Sequence, residues 1–529
     1  LRARLVGATW GIDRDVYKVV VDSRIRIFDP PAEVVARLQA EFSHPNPAKR
    51  GLDALEKAAK ASGGGPWRKK AWARYYEVLN APDAFMTWRW DDDRQRVFSV
   101  PRGGLQVVRS AFDMIVLFPF HDNRGLGDSS IGSPRRYTHK VALRDYQRAL
   151  VEAAKEKQNC FWRSDTGSGK TTAALALIVE LGLPAQVIVW TTNLLEQWVV
   201  RVVKELGIPA REVGVFAGSD RRVRSITIAM QQTLWGLSPE DAAVHAAKFG
   251  TVVCDELSFF AARTFADVID KQTAKYRVGV SADERRKDGC EFLIYDAFGS
   301  QAGPEVPREE LIARGDVVDV SVSVIPTDFA PGWYLDRPMA DRSNLRVELV
   351  GEMIANEARN RQVIEHVARE AEQGEQVLVF SERVEHCLRL EAMLRERLPG
   401  IASRTGRLIG GATNQEEFRR TAAGLRSGRI AAAFGTYKAI TYGTDLPSVA
   451  RGVCATPMHS DPKQLNQVRG RICRADKASG KNSAELLYFW DRALFGLSAL
   501  RSVKKAGPTR VLGEAGHWIG VREFLAQEG

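Results

Sequence analysis

Ser164-Asp165-Thr166-Gly167-Ser168-Gly169-Lys170-Thr171 is the stretch on which the fold of this chain turns. It ends as a phosphate-binding loop ends, in Gly-Lys-Thr, and its flanks supply the setting such a loop needs. Ahead of it, Gln158 to Arg163 has the composition of a short buried strand; behind it, Thr172 to Leu181 runs as a helix rich in Ala and Leu. Strand, loop and helix in that order gather backbone N–H groups at a helix N-terminus, where the peptide dipoles favour an anion. Gly167 and Gly169 let the loop turn inward, Lys170 brings a point charge to the β- and γ-phosphates, and the Thr171 hydroxyl is placed for Mg²⁺. Ser164 stands where the general pattern has its first Gly. The alternative is a glycine-rich helix start that carries Lys by chance.

Outward from the loop, from residue 141 onward, short β-branched runs alternate with amphipathic segments, as in Val187-Ile188-Val189-Trp190 followed by Leu194 to Glu205. That alternation is the pattern of a parallel-sheet α/β fold. A second series begins near Leu311, with Val317 to Ile325 and Val377 to Phe380 as strands, and the Gly- and Pro-rich Gly299 to Pro307 marks the boundary. The N-terminal part differs. It offers strands at Val16 to Val21 and Arg24 to Phe28, a helix from Ala32 to Phe42, a flexible loop at Ala61 to Pro66, and a Trp-rich stretch. The expected organisation is an α+β accessory domain over residues 1–135, α/β domains over 136–303 and 304–505, and a C-terminal tail over 506–529.

A chain of 529 residues agrees with three or four domains. A formal charge of +11 favours an acidic polymer as partner. No apolar run approaches the roughly 18 residues that span a bilayer, and no signal-peptide pattern opens the chain, so a cytosolic protein is expected. Leu1 rather than Met comes first, and residues ahead of it are expected. Cys160, Cys254, Cys290, Cys387, Cys454 and Cys473 form no Cys-x-x-Cys pair, which points to buried thiols and neither zinc nor disulfides.

Hydrolysis at a phosphate loop needs carboxylates on a neighbouring strand. Thr251-Val252-Val253-Cys254-Asp255-Glu256 delivers a pair to a strand's C-terminal end, where open α/β sheets bind ligands. Asp255 is the candidate for holding Mg²⁺ and Glu256 for general base; two acids after an apolar run are also common without function. Arg144 and Gln147 precede the helix that leads to the loop, and a Gln amide can read an adenine edge. Far downstream, Arg471 and Arg474 are three apart, on one face if helical, and such arginines stabilise transferring phosphoryl groups. A solvated basic helix is the alternative.

Together these segments resemble the motifs of superfamily 2 helicases, in order over about residues 141 to 500. Arg144 and Gln147 match the adenine-reading element, Ser164 to Thr171 motif I, and Asp255-Glu256-Leu257-Ser258 a DExH-type motif II. Ser281-Ala282-Asp283 matches motif III, Val377 to Arg383 motif IV, Thr436, Gly443 and Asp445 motif V, and Gln467 to Arg474 motif VI. Ala274 to Val280, followed by Arg286 to Gly289, is similar to the XPB and UvsW branch, and Phe98 to Gly103 resembles phage-type recombination helicases. The resemblance implies two tandem RecA-like domains with ATP and Mg²⁺ in their cleft, and remodelling of branched DNA. It assigns Thr166, Gly167, Ser168, Gly169, Lys170, Thr171, Thr172, Arg144, Gln147, Gly443 and Asp445 to ATP, Thr171 and Asp255 to the metal, and catalysis to Lys170, Glu256, Gln467, Arg471 and Arg474. Two departures concern the relay of ATP state: Ser258 ends motif II in place of His or Asp, and Asp283 with Glu284 replaces Thr-Pro.

The same resemblance lays nucleic acid, held through its phosphates, along Thr191, Thr192, Asn193, Gln232 and Thr233 of the first domain and Arg383 and Thr436 of the second. Threonines and glutamines at strand ends also cap helices. Trp67, Lys69 and Arg74 belong to a stretch that interleaves rings with cations, readable as a base-stacking surface or as an amphipathic helix with Trp72 and Tyr76 in the core. Arg135 to Lys140 forms a second basic patch. The leading expectation is a monomeric DNA helicase or translocase acting on forked or branched DNA. An RNA-directed remodeller and an ATP-binding subunit of a restriction, defence or repair assembly are the alternatives.

Overall fold

The computed structural model describes residues 18–61, 66–79, 84–113, 120–165, 167–257, 267–282, 289–337, 345–410, 414–441, 446, 448–456, 462–476, 480–494, 500, 503–504, 508–513 and 516–527. Two compact units part between Glu305 and Val306, except that Thr166–Ser168 group with the second. No helix among the described residues is long and apolar enough to cross a membrane.

The first unit holds two sheets. Strands β1 (Lys18–Val21) and β2 (Arg24–Phe28) are followed by a short pair, β3 (Ser43–Pro45) with β4 (Ala84–Met86), and by β5 (Arg89–Trp90), β6 (Val97–Pro101) and β7 (Phe120–Asp122). The five-stranded sheet has the order β5-β6-β2-β1-β7. Alternate residues Val19, Val21, Ile25, Ile27, Phe98 and Val100 share its inner face, and helices Ala32–Glu41 and Leu105–Asp113 cover that face with Val34, Leu38, Val108 and Ala111.

The second sheet carries the phosphate loop. Its strands are β8 (Asn159–Arg163), β9 (Ala185–Val189), β10 (Gly214–Ala217), β11 (Asp220–Arg222), β12 (Ile226–Met230), β13 (Thr251–Asp255) and β14 (Tyr276–Ser281), in the order β11-β10-β12-β9-β13-β14-β8. All but β11 run parallel. Strands β9 and β13 are buried throughout because helices lie on both faces, which is why they read as unbroken apolar runs. Helices Asp145–Lys157, Lys170–Leu181 and Thr192–Leu206 pack on one face, and Leu234, Ile294 and Phe298 on the other.

Three buried arginines join the two sheets of this unit. Arg102 donates 2.6 Å bonds to the carbonyls of Ala274 and Lys275, Arg24 reaches Asp270 at 2.5 Å, and Arg277 donates back to the carbonyl of Ser23 at 3.2 Å. Burial pushes the Arg277 pKa down to about 10 and that of Arg102 well below the ordinary arginine value. The N-terminal sheet has its own core and is fastened to the phosphate-loop sheet by charge.

The second unit is one eight-stranded sheet: β15 (Asp319–Thr327), β16 (Val377–Ser381), β17 (Thr405–Leu408), β18 (Ala432–Thr436), β19 (Arg451–Cys454), β20 (Ser483–Asp491), β21 (Thr509–Leu512) and β22 (Trp518–Gly520), ordered β17-β18-β16-β19-β20-β15-β21-β22. Only β22 is antiparallel to its neighbour. The expected tail over 506–529 is corrected here. Strand β21 pairs with the edge of β15, Val511 is fully buried, and helix Val521–Gln527 sets Phe524 edge-on to Trp490 at 5.9 Å. Pairing satisfies N–H and C=O groups that a bare β15 edge would leave exposed.

Candidate functional site

The loop leaves the C-terminal end of β8. Gly167 and Gly169 have φ of 93° and 80°, a left-handed backbone open to glycine at little cost. At Gly169 a side chain is also excluded by space, since a Cβ there would lie 2.3 Å from Nε2 of Gln147. Lys170 opens helix Lys170–Leu181, and its ammonium donates to the carbonyls of Ser164 (2.5 Å) and Asp165 (3.1 Å) at the loop's mouth. Ser164 Oγ is buried with no hydrogen-bond partner among the described residues. Thr171 is half-buried. The Thr172 hydroxyl donates to Glu205 at 3.3 Å, between two helices. Thr166 lies outside the described residues.

Asp255 ends β13 on the same sheet edge. In register it stands opposite Val280 of β14, and Val280 opposite Trp162 of β8, so carboxylate and loop are two strand spacings apart, about 10 Å. Asp255 is 8% exposed, and its Oδ2 accepts a 2.8 Å bond from the Trp198 indole. Glu256 follows with φ of 56°, a left-handed conformation that costs a side-chain-bearing residue about 1–2 kcal/mol. Such strain concentrates at functional turns. Ser281 ends β14 between them, its carbonyl accepting the Ser164 N–H at 3.2 Å. Ser258, Asp283, Glu284 and Arg286 lie outside the described residues.

Gln147 is tied to the loop. Its Oε1 accepts the Arg144 backbone N–H at 3.0 Å, and its Nε2 donates to the Gly169 carbonyl at 3.4 Å. The Arg144 guanidinium donates to the Tyr146 hydroxyl at 3.0 Å. The amide expected to read adenine therefore also braces the phosphate loop.

In the second unit, helix Pro462–Ile472 ends before Arg474. The single helical face expected for Arg471 and Arg474 is corrected: Arg474 forms an antiparallel bridge with Val317, and Cys473 accepts the Val318 N–H at 2.6 Å. The turn leaves the helix because these backbone groups pair with Val317 and Val318, just ahead of β15. Arg469 of the same helix is buried and donates to the Val320 carbonyl at 3.3 Å. The side chain of Gln467, and Gly443 and Asp445, lie outside the described residues.

The candidate nucleic-acid residues gather at strand ends. Thr191, Thr192 and Asn193 follow β9, and Gln232 and Thr233 follow its neighbour β12. Thr191 caps its helix by accepting Leu194 N–H at 3.2 Å, Gln232 donates to the Trp190 carbonyl at 3.0 Å, and Thr233 accepts the Gly218 N–H at 3.0 Å. Ser381 of β16 stands opposite Thr436 of β18, which brings Arg383 and Thr436 together; Thr436 caps the next helix through Ala439 N–H at 3.3 Å. In helix Pro66–Leu79, Trp72, Tyr75 and Tyr76 form a ring cluster with Tyr76 51% exposed, so these rings are not the core of an amphipathic helix. Arg74 is exposed there, and the side chains of Trp67 and Lys69 lie outside the described residues. The second basic patch is structural in part: Arg135 donates to the carbonyls of Glu180 and Leu181 at the end of the phosphate-loop helix.

A family model described as "Type III restriction enzyme, res subunit" matches residues 140–284, and one described as "Helicase conserved C-terminal domain" matches residues 358–476. The putative DNA 3'-5' helicase Rad25 of Haloarcula marismortui is 27% identical over 207 residues, 39% of this chain and 32% of that protein. The DNA 3'-5' helicase XPB of Mycobacterium tuberculosis is 23% identical over 412 residues, 74% of this chain and 68% of that protein. The motor region is that of a superfamily 2 helicase. Its two RecA-like domains share their fold with the DUF1998 helicase MrfA, at 12% identity and a TM-score of 0.51 over 76% of this chain and 60% of that one. A putative HsdR subunit fragment from Vibrio vulnificus gives 15% and 0.50 over 74% and 73%. The match to the haloarchaeal relative spans about a third of that protein's length. Within the helicase motifs, sequence reasoning missed Trp198, the partner of the motif II aspartate; its spacing to Leu194, Leu195 and Val202 reads as helix core, and it is that as well.

Proposed function

We propose that this chain is an ATP-driven motor that translocates on DNA and remodels forked or branched DNA. The carrying observation is the phosphate loop, Asp255 and Glu256 at the C-terminal ends of two parallel strands separated by one, β14. The residues fit a magnesium nucleotide: two left-handed glycines, a lysine at a helix start, a buried carboxylate and a buried Ser164 hydroxyl without a partner among the described residues. Lys170 and the loop N–H groups would hold the phosphates, and Thr171 and Asp255 the Mg²⁺, which neutralises charge on them when bound. Glu256 would take the proton of the attacking water. Arg471 and Arg474 would have the role the resemblance gives them, stabilising charge on a transferring phosphoryl group.

DNA is preferred to RNA because relatives with DNA in their names, Rad25 and XPB, align through the motor region. Measuring ATPase with single-stranded DNA, forked DNA and RNA of matched length tests this: forked DNA should stimulate most, and Glu256→Gln should bind ATP yet lose at least ~10²-fold in turnover. Stimulation by RNA alone would refute the DNA reading. A second reading, motor subunit of a restriction assembly, is favoured by the res-subunit family model over residues 140–284. Strand separation by the isolated chain would exclude it.

A further inference from the structure

Behind Arg383 runs a chain of buried polar groups that ordinary core packing does not call for. The backbone N–H of Arg383 donates to Ser381 Oγ at 3.3 Å, Ser381 Oγ lies 2.9 Å from His386 Nδ1, and His386 Nε2 lies 2.9 Å from Asn360 Oδ1. Asn360 Nδ2 donates to the carbonyl of Ile354 at 2.8 Å. Ser381, His386 and Asn360 are each 0% exposed.

The proton positions follow from this wiring. The Asn360 amide group is turned to Ile354, so its oxygen faces the ring and can only accept; His386 therefore carries its proton on Nε2. Nδ1 is left as acceptor, Ser381 donates its hydroxyl proton there, and a Ser381 lone pair remains for the Arg383 N–H. Every donor has one acceptor. Burial, with Arg359 and Arg389 nearby, pushes the His386 pKa down to about 3, so the ring stays neutral and this pattern persists at neutral pH.

The neighbouring amide is held separately. Glu382 N–H donates to Thr456 Oγ1 at 2.9 Å, and the Thr456 carbonyl accepts the Tyr437 hydroxyl at 2.6 Å, next to Thr436. Two successive N–H groups of the turn are thus fixed by fully buried side chains, while the Arg383 guanidinium has no hydrogen bond or ion pair with the described residues. A rigid backbone under an uncommitted cation is what a phosphate-binding group requires.

We propose that His386, acting through Ser381 and supported by Asn360, is a positioning residue that fixes the Glu382–Arg383 turn so that Arg383 meets a nucleic-acid phosphate. The phosphate partner rests on the DNA reading above; the positioning does not.

The test uses the full chain, an oligo-dT single strand and four variants. His386→Leu removes both ring contacts, Ser381→Ala removes a single oxygen and guards against misfolding, and His386→Asn places an oxygen near the lost Nδ1. Arg383→Ala removes the cation itself. In His386→Leu and Ser381→Ala, amide hydrogen exchange at residues 382–383 should quicken about 10-fold, and the oligonucleotide concentration for half-maximal ATPase should rise about 10-fold, as for one lost charge-assisted contact. Maximal rate should stay within about two-fold, and His386→Asn should recover most of both effects. Unchanged exchange in both variants overturns the proposal. So does a half-saturation that moves in Arg383→Ala but not in His386→Leu. Faster exchange with a half-saturation that moves in neither His386→Leu nor Arg383→Ala upholds the positioning and removes the DNA assignment of Arg383 instead.

Discussion

Replacing Trp198 by Phe probes the proposed Mg²⁺ site without touching a proposed metal ligand. The indole N–H donates at 2.8 Å to Oδ2 of Asp255, both residues are buried, and Phe keeps a flat ring while deleting the donor. A hydrogen bond to a charged acceptor contributes about 1.5–3 kcal/mol, and partners that orient a metal ligand typically change metal affinity about 10- to 100-fold. Two effects oppose one another. A carboxylate relieved of one donor attracts a cation more strongly, but it also loses a contact that helps fix its rotamer. Orientation should win, because in a site only 8% exposed the carboxylate has little water to replace the indole. The free Mg²⁺ giving half-maximal ATPase at saturating ATP should rise about 10-fold or more. Nucleotide binding without Mg²⁺ should be unaltered. Thermal unfolding followed in parallel separates this from lost packing, which for a trimmed buried ring costs about 1–3 kcal/mol. A lowered melting temperature with unchanged Mg²⁺ dependence would refute the reasoning and leave Trp198 as core alone.

Three further outcomes are expected. Gly169→Ala, which forces a side chain at φ of 80° and a Cβ 2.3 Å from Gln147, should weaken ATP binding about 10-fold in equilibrium titration; wild-type affinity would mean the loop relaxes freely. Arg102→Leu should destabilise the first unit by about 3 kcal/mol or more in urea unfolding, since it strands the buried carbonyls of Ala274 and Lys275. His245 lies 4.1 Å from the Phe216 ring centroid, and burial pushes its pKa from 6.5 to about 4. The unfolded chain therefore takes up a proton first, and stability is lost as pH falls from 6.5 to about 4, by about 3 kcal/mol. His245→Leu should flatten that part of the unfolding curve.

What was legible in the sequence is what is local. Glycines, lysine and a flanking strand and helix specify a phosphate loop within about twenty residues, and unbroken apolar runs such as Val252 to Cys254 announce strands covered on both faces. The residues that escaped notice act over long separations. Trp198 and Asp255 are 57 positions apart, and Arg24 and Asp270 are 246 apart; neither pair leaves a periodic signal. Strand β21 was missed for a different reason: Thr509 to Leu512 is too short to show alternation, and only the open edge of β15 makes it a strand. The three-residue spacing of Arg471 and Arg474 means a shared face only in a helix, and the bridge of Arg474 to Val317 depends on a segment over 150 residues away that the spacing does not reveal.

These long-range contacts also bear on how the N-terminal sheet is attached. Arg102 grips the carbonyls of Ala274 and Lys275, Arg24 holds Asp270, and Arg277, the second residue of β14, returns a bond to Ser23. All act on the chain just before or at the start of β14. The other end of that strand, Ser281, accepts the N–H of Ser164 as the phosphate loop begins. A parallel strand buried within a packed sheet bends little. Strand β14, six residues long, therefore has the arginine contacts at its start and the first residue of the phosphate loop at its end. The arginine contacts thus hold the N-terminal sheet and the phosphate-loop sheet in one compact unit, so the N-terminal sheet is not a module tethered apart from it.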